Sequence, residues 1–99
     1  MRGYVVIDTD VVDPEAYSEY VERSLAVIAA HGGRVLVRTS QAESVHGGWA
    51  PKRLVILEFD SLDAARGLIN SDEYGALDDL RQRAANSHTV VVEGSDPAA

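Results

Sequence analysis

The chain has 99 residues, a formal charge of -7, 45% hydrophobic residues and no cysteine. That length fits one domain with a modest core, and the missing thiols exclude a disulfide framework or a thiolate metal site. The acidic balance argues against a nucleic-acid partner, whose binders carry a clustered basic face, and no apolar run approaches the roughly 20 residues that span a bilayer.

The opening residues, Met-Arg-Gly-Tyr-Val-Val-Ile, are too short and too quickly acidic for a signal peptide, so a cytoplasmic location is expected. Residues 4 to 8 read as a first strand. Asp13-Pro14 then supplies a capping carboxylate and a proline at the first helical position. Tyr17, Val21, Leu25 and Ile28 recur at spacings of 4, 4 and 3, which makes one apolar stripe of a helix ended by Gly32-Gly33. Residues 34 to 38 form a second strand, 40 to 51 a polar loop, and Lys52 to Phe59 a third strand. Ser61 caps a second helix that breaks near Asn70-Ser71 and resumes from Asp72, and Thr89 to Glu93 is the last strand. The order is βαββαβ over one domain, residues 1 to 94, with a flexible tail at 95 to 99.

A strand with one wet face alternates, yet Leu54-Val-Ile-Leu57 is apolar throughout. Right-handed crossovers place both helices on one side of a four-stranded antiparallel sheet, leaving the other side bare. Counting by parity, at least six apolar side chains face away from the helices whichever way the strands sit. At about 1.5 to 3 kcal/mol for each fully buried side chain, such a face needs a cover. The economical cover is a second copy about a two-fold axis, giving a sheet-on-sheet homodimer.

The stretches "DPEAYSEYV", "HGGRVLVR", "GGWAPKRLVILEF", "SLDAARGLINSDEY" and "LRQRAANSHTVVVEG" together resemble the domain of unknown function 1330 family. The likeness runs over nearly the whole chain. It implies α+β architecture: a ferredoxin-like βαββαβ fold with a four-stranded antiparallel sheet, paired into a dimeric α+β barrel. Wider relatives include small oxygenases, isomerases and haem-handling enzymes. The chain departs from the family pattern at Thr39-Ser40, where a Gly-Gly pair is usual, and at His46, where an acidic residue often precedes the glycine.

The loop "HGGWAPKR", residues 46 to 53, combines an imidazole, an indole and two cations. In the functional reading Trp49 walls a pocket, Arg53 holds a carboxylate or enolate, and His46 is the candidate catalytic group, moving a proton near neutral pH. In the structural reading Trp49 plugs the core or an interface, and Arg53 pairs with an acid such as Glu58 of a second copy. Tyr74, Asp78 and Arg81 share one helix face, so Tyr74 and Arg81 join the ligand-binding candidates against an ordinary exposed ladder. His31 complements a helix C-terminus, His88 opens the last strand, and with His46 these lack any local metal spacing, so no metal is expected. The expected function is binding of a small organic acid or aromatic molecule without a cofactor, in its enzymatic form by acid/base or oxygen chemistry. A non-catalytic structural or interaction dimer and a haem-binding protein are the alternatives.

Overall fold

The computed structural model describes residues 1–96. The elements are β1 (Gly3–Val11), α1 (Pro14–Ala30), β2 (Arg34–Thr39), β3 (Arg53–Phe59), α2 (Leu62–Ile69), α3 (Asp72–Gly75), α4 (Asp78–Ala84) and β4 (Ala85–Glu93). The expected tail from 95 onward lies outside the described residues from 97. The four strands form one antiparallel sheet in the order β2-β3-β1-β4.

Local chemistry sets the helix ends. The Asp13 carboxylate accepts from the Glu15 and Ala16 amides at 3.1 and 3.2 Å, and Pro14 occupies the first turn. At the other end Gly32 has φ +80°, which an L side chain rarely adopts. Gly33 serves a different need. A Cβ there would lie 2.7 Å from both the Ile28 side chain and the Phe59 ring, so only glycine lets the chain pass between them. Ser61 caps α2, and Ser71 caps α3 through the Tyr74 amide at 3.1 Å, which turns the chain sharply toward α1.

Two strands are longer than the sequence reading gave. β1 continues beyond Asp8 to Val11, and β4 begins at Ala85 rather than Thr89. The added stretches pair with each other, Thr9 opposite Ser87 and Asp10 opposite Asn86, and His88 lies opposite Asp8. Their polar residues hide the strand pattern, yet the Thr9 and Ser87 hydroxyls meet at 3.4 Å and the ladder runs on. His88 therefore sits inside β4 instead of opening it.

Side chains paired across the ladder share a face. On the helix face Val5, Leu57 and Phe59 are fully buried against Ile28, Ala65 and Leu68. Ala16, Leu80, Ala84 and Ala85 form a second cluster beside Tyr17 and Tyr20. On the opposite face the register lays down rows: Arg34, Glu58, Tyr4 and Val92; then Val37, Ile56, Val6 and Val90; then Thr39, Leu54, Asp8 and His88. A bulge between Val35 and Val37 sends Val35 to the helix face and Val37 to the open one. Six aliphatic side chains thus lie on the open face, with Val90 55% exposed and Val92 43%.

One corner of that face is polar and tied. Glu58 accepts from Arg34 at 2.9 Å, Tyr4 at 3.0 Å and Arg2 at 3.2 Å, which joins β2, β3 and β1. The Arg34 guanidinium, and after it the Tyr4 hydroxyl, hold the Glu58 carboxyl below its usual range. The same bond raises the Tyr4 phenol.

Candidate functional site

The site is a cleft between α1 and the helix face of the sheet. Its position follows from two sequence features. The α1 stripe presents Tyr17, Val21, Leu25 and Ile28 toward the strands, and the Ser71 turn carries Tyr74 back over α1. Leu25 stays 38% exposed because it borders this space instead of filling the core.

The cleft has two parts. An inner chamber of about 50 Å³ is lined in its polar portion by Tyr17, Tyr20, Tyr74, Arg38 and Arg81, with Ser24 and Thr9. Outside it, a groove of about 360 Å³ is lined by Tyr17, Val21 and Leu25 with Arg38, Arg53, Ser18 and Glu22.

In the chamber the Tyr20 and Tyr74 hydroxyls are 3.2 Å apart. Burial, and then the neighbouring Tyr74, push the Tyr20 phenol well above the usual tyrosine range. Tyr20 therefore keeps its proton at neutral pH. The Tyr17 and Tyr20 rings pack with centroids 6.3 Å apart. In the groove the Arg53 guanidinium lies 5.4 Å from the centre of the Tyr17 ring, a cation–π contact. Its Nε is buried and has no hydrogen-bond partner among the described residues. Arg38 forms no ion pair among the described residues, whereas Arg81 contacts Asp78 at 3.4 Å.

Tyr74 and Arg81, read from one helix face, both line the chamber, and Arg53 borders the groove. His46 and Trp49 lie elsewhere. Trp49 is 63% exposed and its Nε1 donates to Asp8 Oδ2 at 2.9 Å, on the open face of the sheet. Lys52 reaches Asp10 at 3.4 Å. The 46 to 52 segment thus leans on the side away from the helices, and only Arg53, opposite Thr9 in the ladder, crosses to the cleft. His46 is exposed beside Gly47 and Gly48, whose φ values of +82° and +75° make the turn. Glu58, suggested as an acid for Arg53 across an interface, is engaged by Arg34, Tyr4 and Arg2.

His31 caps α1, its Nδ1 at 3.0 Å from the Val27 carbonyl, with Glu73 3.8 Å from Nε2. Among the described residues no group of three histidine or acidic side chains could hold a metal ion. No helix there is long and apolar enough to cross a membrane.

Of the tyrosines and arginines in the cleft, Tyr17, Tyr20 and Arg38 were not singled out from sequence as site residues. Tyr17 belongs to the α1 stripe and Tyr20 lies one position off it, so from sequence both read as packing residues. Arg38 reads as facing away from Val35, because strict alternation does not foresee the bulge that returns it to Val35's side.

A four-stranded antiparallel sheet in this order, with helices on one face, defines a ferredoxin-like α+β protein. Residues 2–95 match the model of the domain of unknown function family DUF1330, and the chain belongs to that family. No curated protein matches. A solved protein of unknown function from Rhodopseudomonas palustris is similar at 22% identity and TM-score 0.73, over 97% of this chain and 84% of that one. SnoaB, a cofactor-independent oxygenase from Streptomyces nogalater, is similar at 14% identity and TM-score 0.69, over 96% and 94%. A dimeric protein of unknown function and ferredoxin-like fold from Bacteroides fragilis is similar at 14% identity and TM-score 0.61, over 94% and 96%. At such identities the likeness is one of fold.

Proposed function

We propose that this chain is a small-molecule-binding protein that takes up a small organic acid, aromatic or similarly flat, in the cleft between α1 and the sheet. The observation that carries this reading is the chemistry of the lining. Three arginines and three tyrosines line the cleft among aliphatic and hydroxyl side chains, the chamber has no carboxylate in its lining, and the groove has one, Glu22, against Arg38 and Arg53. In a protein of net charge -7, a cleft edged by Arg38 and Arg53 is a local attraction for an anion. A guanidinium with a buried, unpartnered Nε gains a strong partner when a carboxylate arrives. Tyr17, already stacked on Arg53, offers a face to a ring.

The working unit in this proposal is a cytoplasmic homodimer with the two open faces packed together. Val6, Val37, Leu54, Ile56, Val90 and Val92 support it, since a face this apolar exceeds what soluble monomers usually leave wet. The dimeric relative with this fold points the same way.

No cofactor is needed for such binding. The relative described as a cofactor-independent oxygenase shares only the fold, and the chamber here supplies hydrogen-bond donors and cations with no imidazole or carboxylate base. Any reaction in it starts from a substrate that loses its own proton. Calorimetric titration with benzoate and with benzamide tests the reading. Benzoate is expected to bind wild type and to lose most of its affinity in Arg38→Gln and Arg53→Gln, with benzamide weak throughout. Equal binding of acid and amide, or an acid indifferent to both substitutions, refutes it.

A further inference from the structure

The chamber and the groove differ in kind. At about 50 Å³ the chamber is the more confined of the two and is enclosed by the tyrosines. The groove, at about 360 Å³, admits a ring. A ligand using both therefore has two ends, and the chemistry at the inner end differs from that at the outer.

At the inner end are the Tyr20 and Tyr74 hydroxyls, 3.2 Å apart. Two hydroxyls own two protons and their mutual bond uses one, which leaves the other for a guest oxygen. Arg81 lines the same chamber, and its partner Asp78 is half-exposed at 3.4 Å. A cation and a surplus donor, with no carboxylate among the lining residues, favour an oxygen carrying negative charge over a neutral one.

We infer that the chamber is an oxyanion subsite, and that the ligand is a flat carboxylic acid bearing a second, acidic hydroxyl of the phenol or enol class at its far end. The carboxylate rests in the groove by Arg38 and Arg53. The hydroxyl oxygen, its proton lost to solvent, accepts from the Tyr20–Tyr74 pair beside Arg81. This inference rests on the acid-binding reading above and adds the second end of the ligand. Tyr20 suits the role by position, its hydroxyl lying 3.2 Å from that of Tyr74 in the chamber that Arg81 also lines. The subsite positions and stabilises charge, and it removes no proton itself.

The test compares 3-fluoro-4-hydroxybenzoate with 3-fluorobenzoate, using fluorine resonance on the full chain. The hydroxy acid is expected to bind about tenfold tighter or more, the increment of a hydrogen bond to a charged oxygen. Its bound fluorine should report phenolate at a pH where the free acid is still a phenol. Tyr74→Phe and Arg81→Gln should each erase most of that advantage, with thermal unfolding showing that each variant is folded. If the two acids bind equally and the bound phenol stays neutral, the subsite is refuted while acid binding stands. An advantage that survives both substitutions also refutes it. If neither acid binds, both readings fall together.

Discussion

Val90→Asp gives the sharpest view of what the open face does. Val90 is 55% exposed in the protomer and pairs with Val6, which pairs in turn with Ile56 and Ile56 with Val37, so it ends an unbroken aliphatic row. In an isolated protomer the substitution alters one exposed position on an edge strand, at a cost of roughly 1 kcal/mol or less. In a two-fold dimer every substitution counts twice. Two valines withdrawn from a dry interface cost about 1.5 to 3 kcal/mol each, before any penalty for two unpaired carboxylates. The dimer dissociation constant should therefore rise by roughly two to four orders of magnitude, while unfolding of the separated protomer changes little. Sedimentation equilibrium resolves the species as 10.7 kDa or twice that. A Val90→Asp protein that associates as tightly as wild type, or a wild type that is monomeric at micromolar concentration, refutes the reasoning.

The remaining predictions concern the fold that holds the cleft. Leu57→Ala removes a side chain with no exposed surface and should cost about 2 to 5 kcal/mol in chemical denaturation; a loss under 1 kcal/mol would mean that the helix face is not the core. Asp13→Ala deletes the α1 cap and should cost about 1 kcal/mol, visible as a lower Tm, and Asp13→Asn should recover most of it. Glu58→Gln should destabilise at neutral pH and progressively less in acid. Its carboxyl is held low by Arg34 and then Tyr4, so its contribution is fully present above the ordinary carboxylate range and is lost as pH falls through the lowered value. Urea midpoints of wild type and variant measured across that range should converge in acid, and a constant gap would contradict the ion-pair account.

How far the sequence alone reached depends on which interactions were local. Asp13-Pro14, Ser61 and Gly32 act on their own neighbours, and each appears in the structure as the element boundary it suggested. The four-residue apolar run in β3 correctly implied a sheet with two apolar faces. The polar halves of β1 and β4 were hidden, because Asn86, Ser87 and His88 are strand residues only by virtue of pairing with Asp8, Thr9 and Asp10 some 76 to 80 positions away. The cleft was half legible. Tyr74 and Arg81 sit at helical spacing and share a wall, but the approach of Tyr74 to Tyr20 spans 54 residues and depends on the Ser71 turn. Trp49 attracted notice by residue type alone, and nothing local says that its indole turns to Asp8 on the other side of the sheet.

The central claim is that a small acid enters on the helix side of the sheet while the opposite side serves assembly. Amide chemical-shift mapping with benzoate tests it most directly. The account predicts shifts concentrated at Tyr17, Val21 and Leu25 on α1 and at Arg38 and Arg53 on the strands, with Val6, Ile56 and Val90 unmoved. Shifts confined to the Val6, Ile56 and Val90 row, or none at saturating acid, would contradict it.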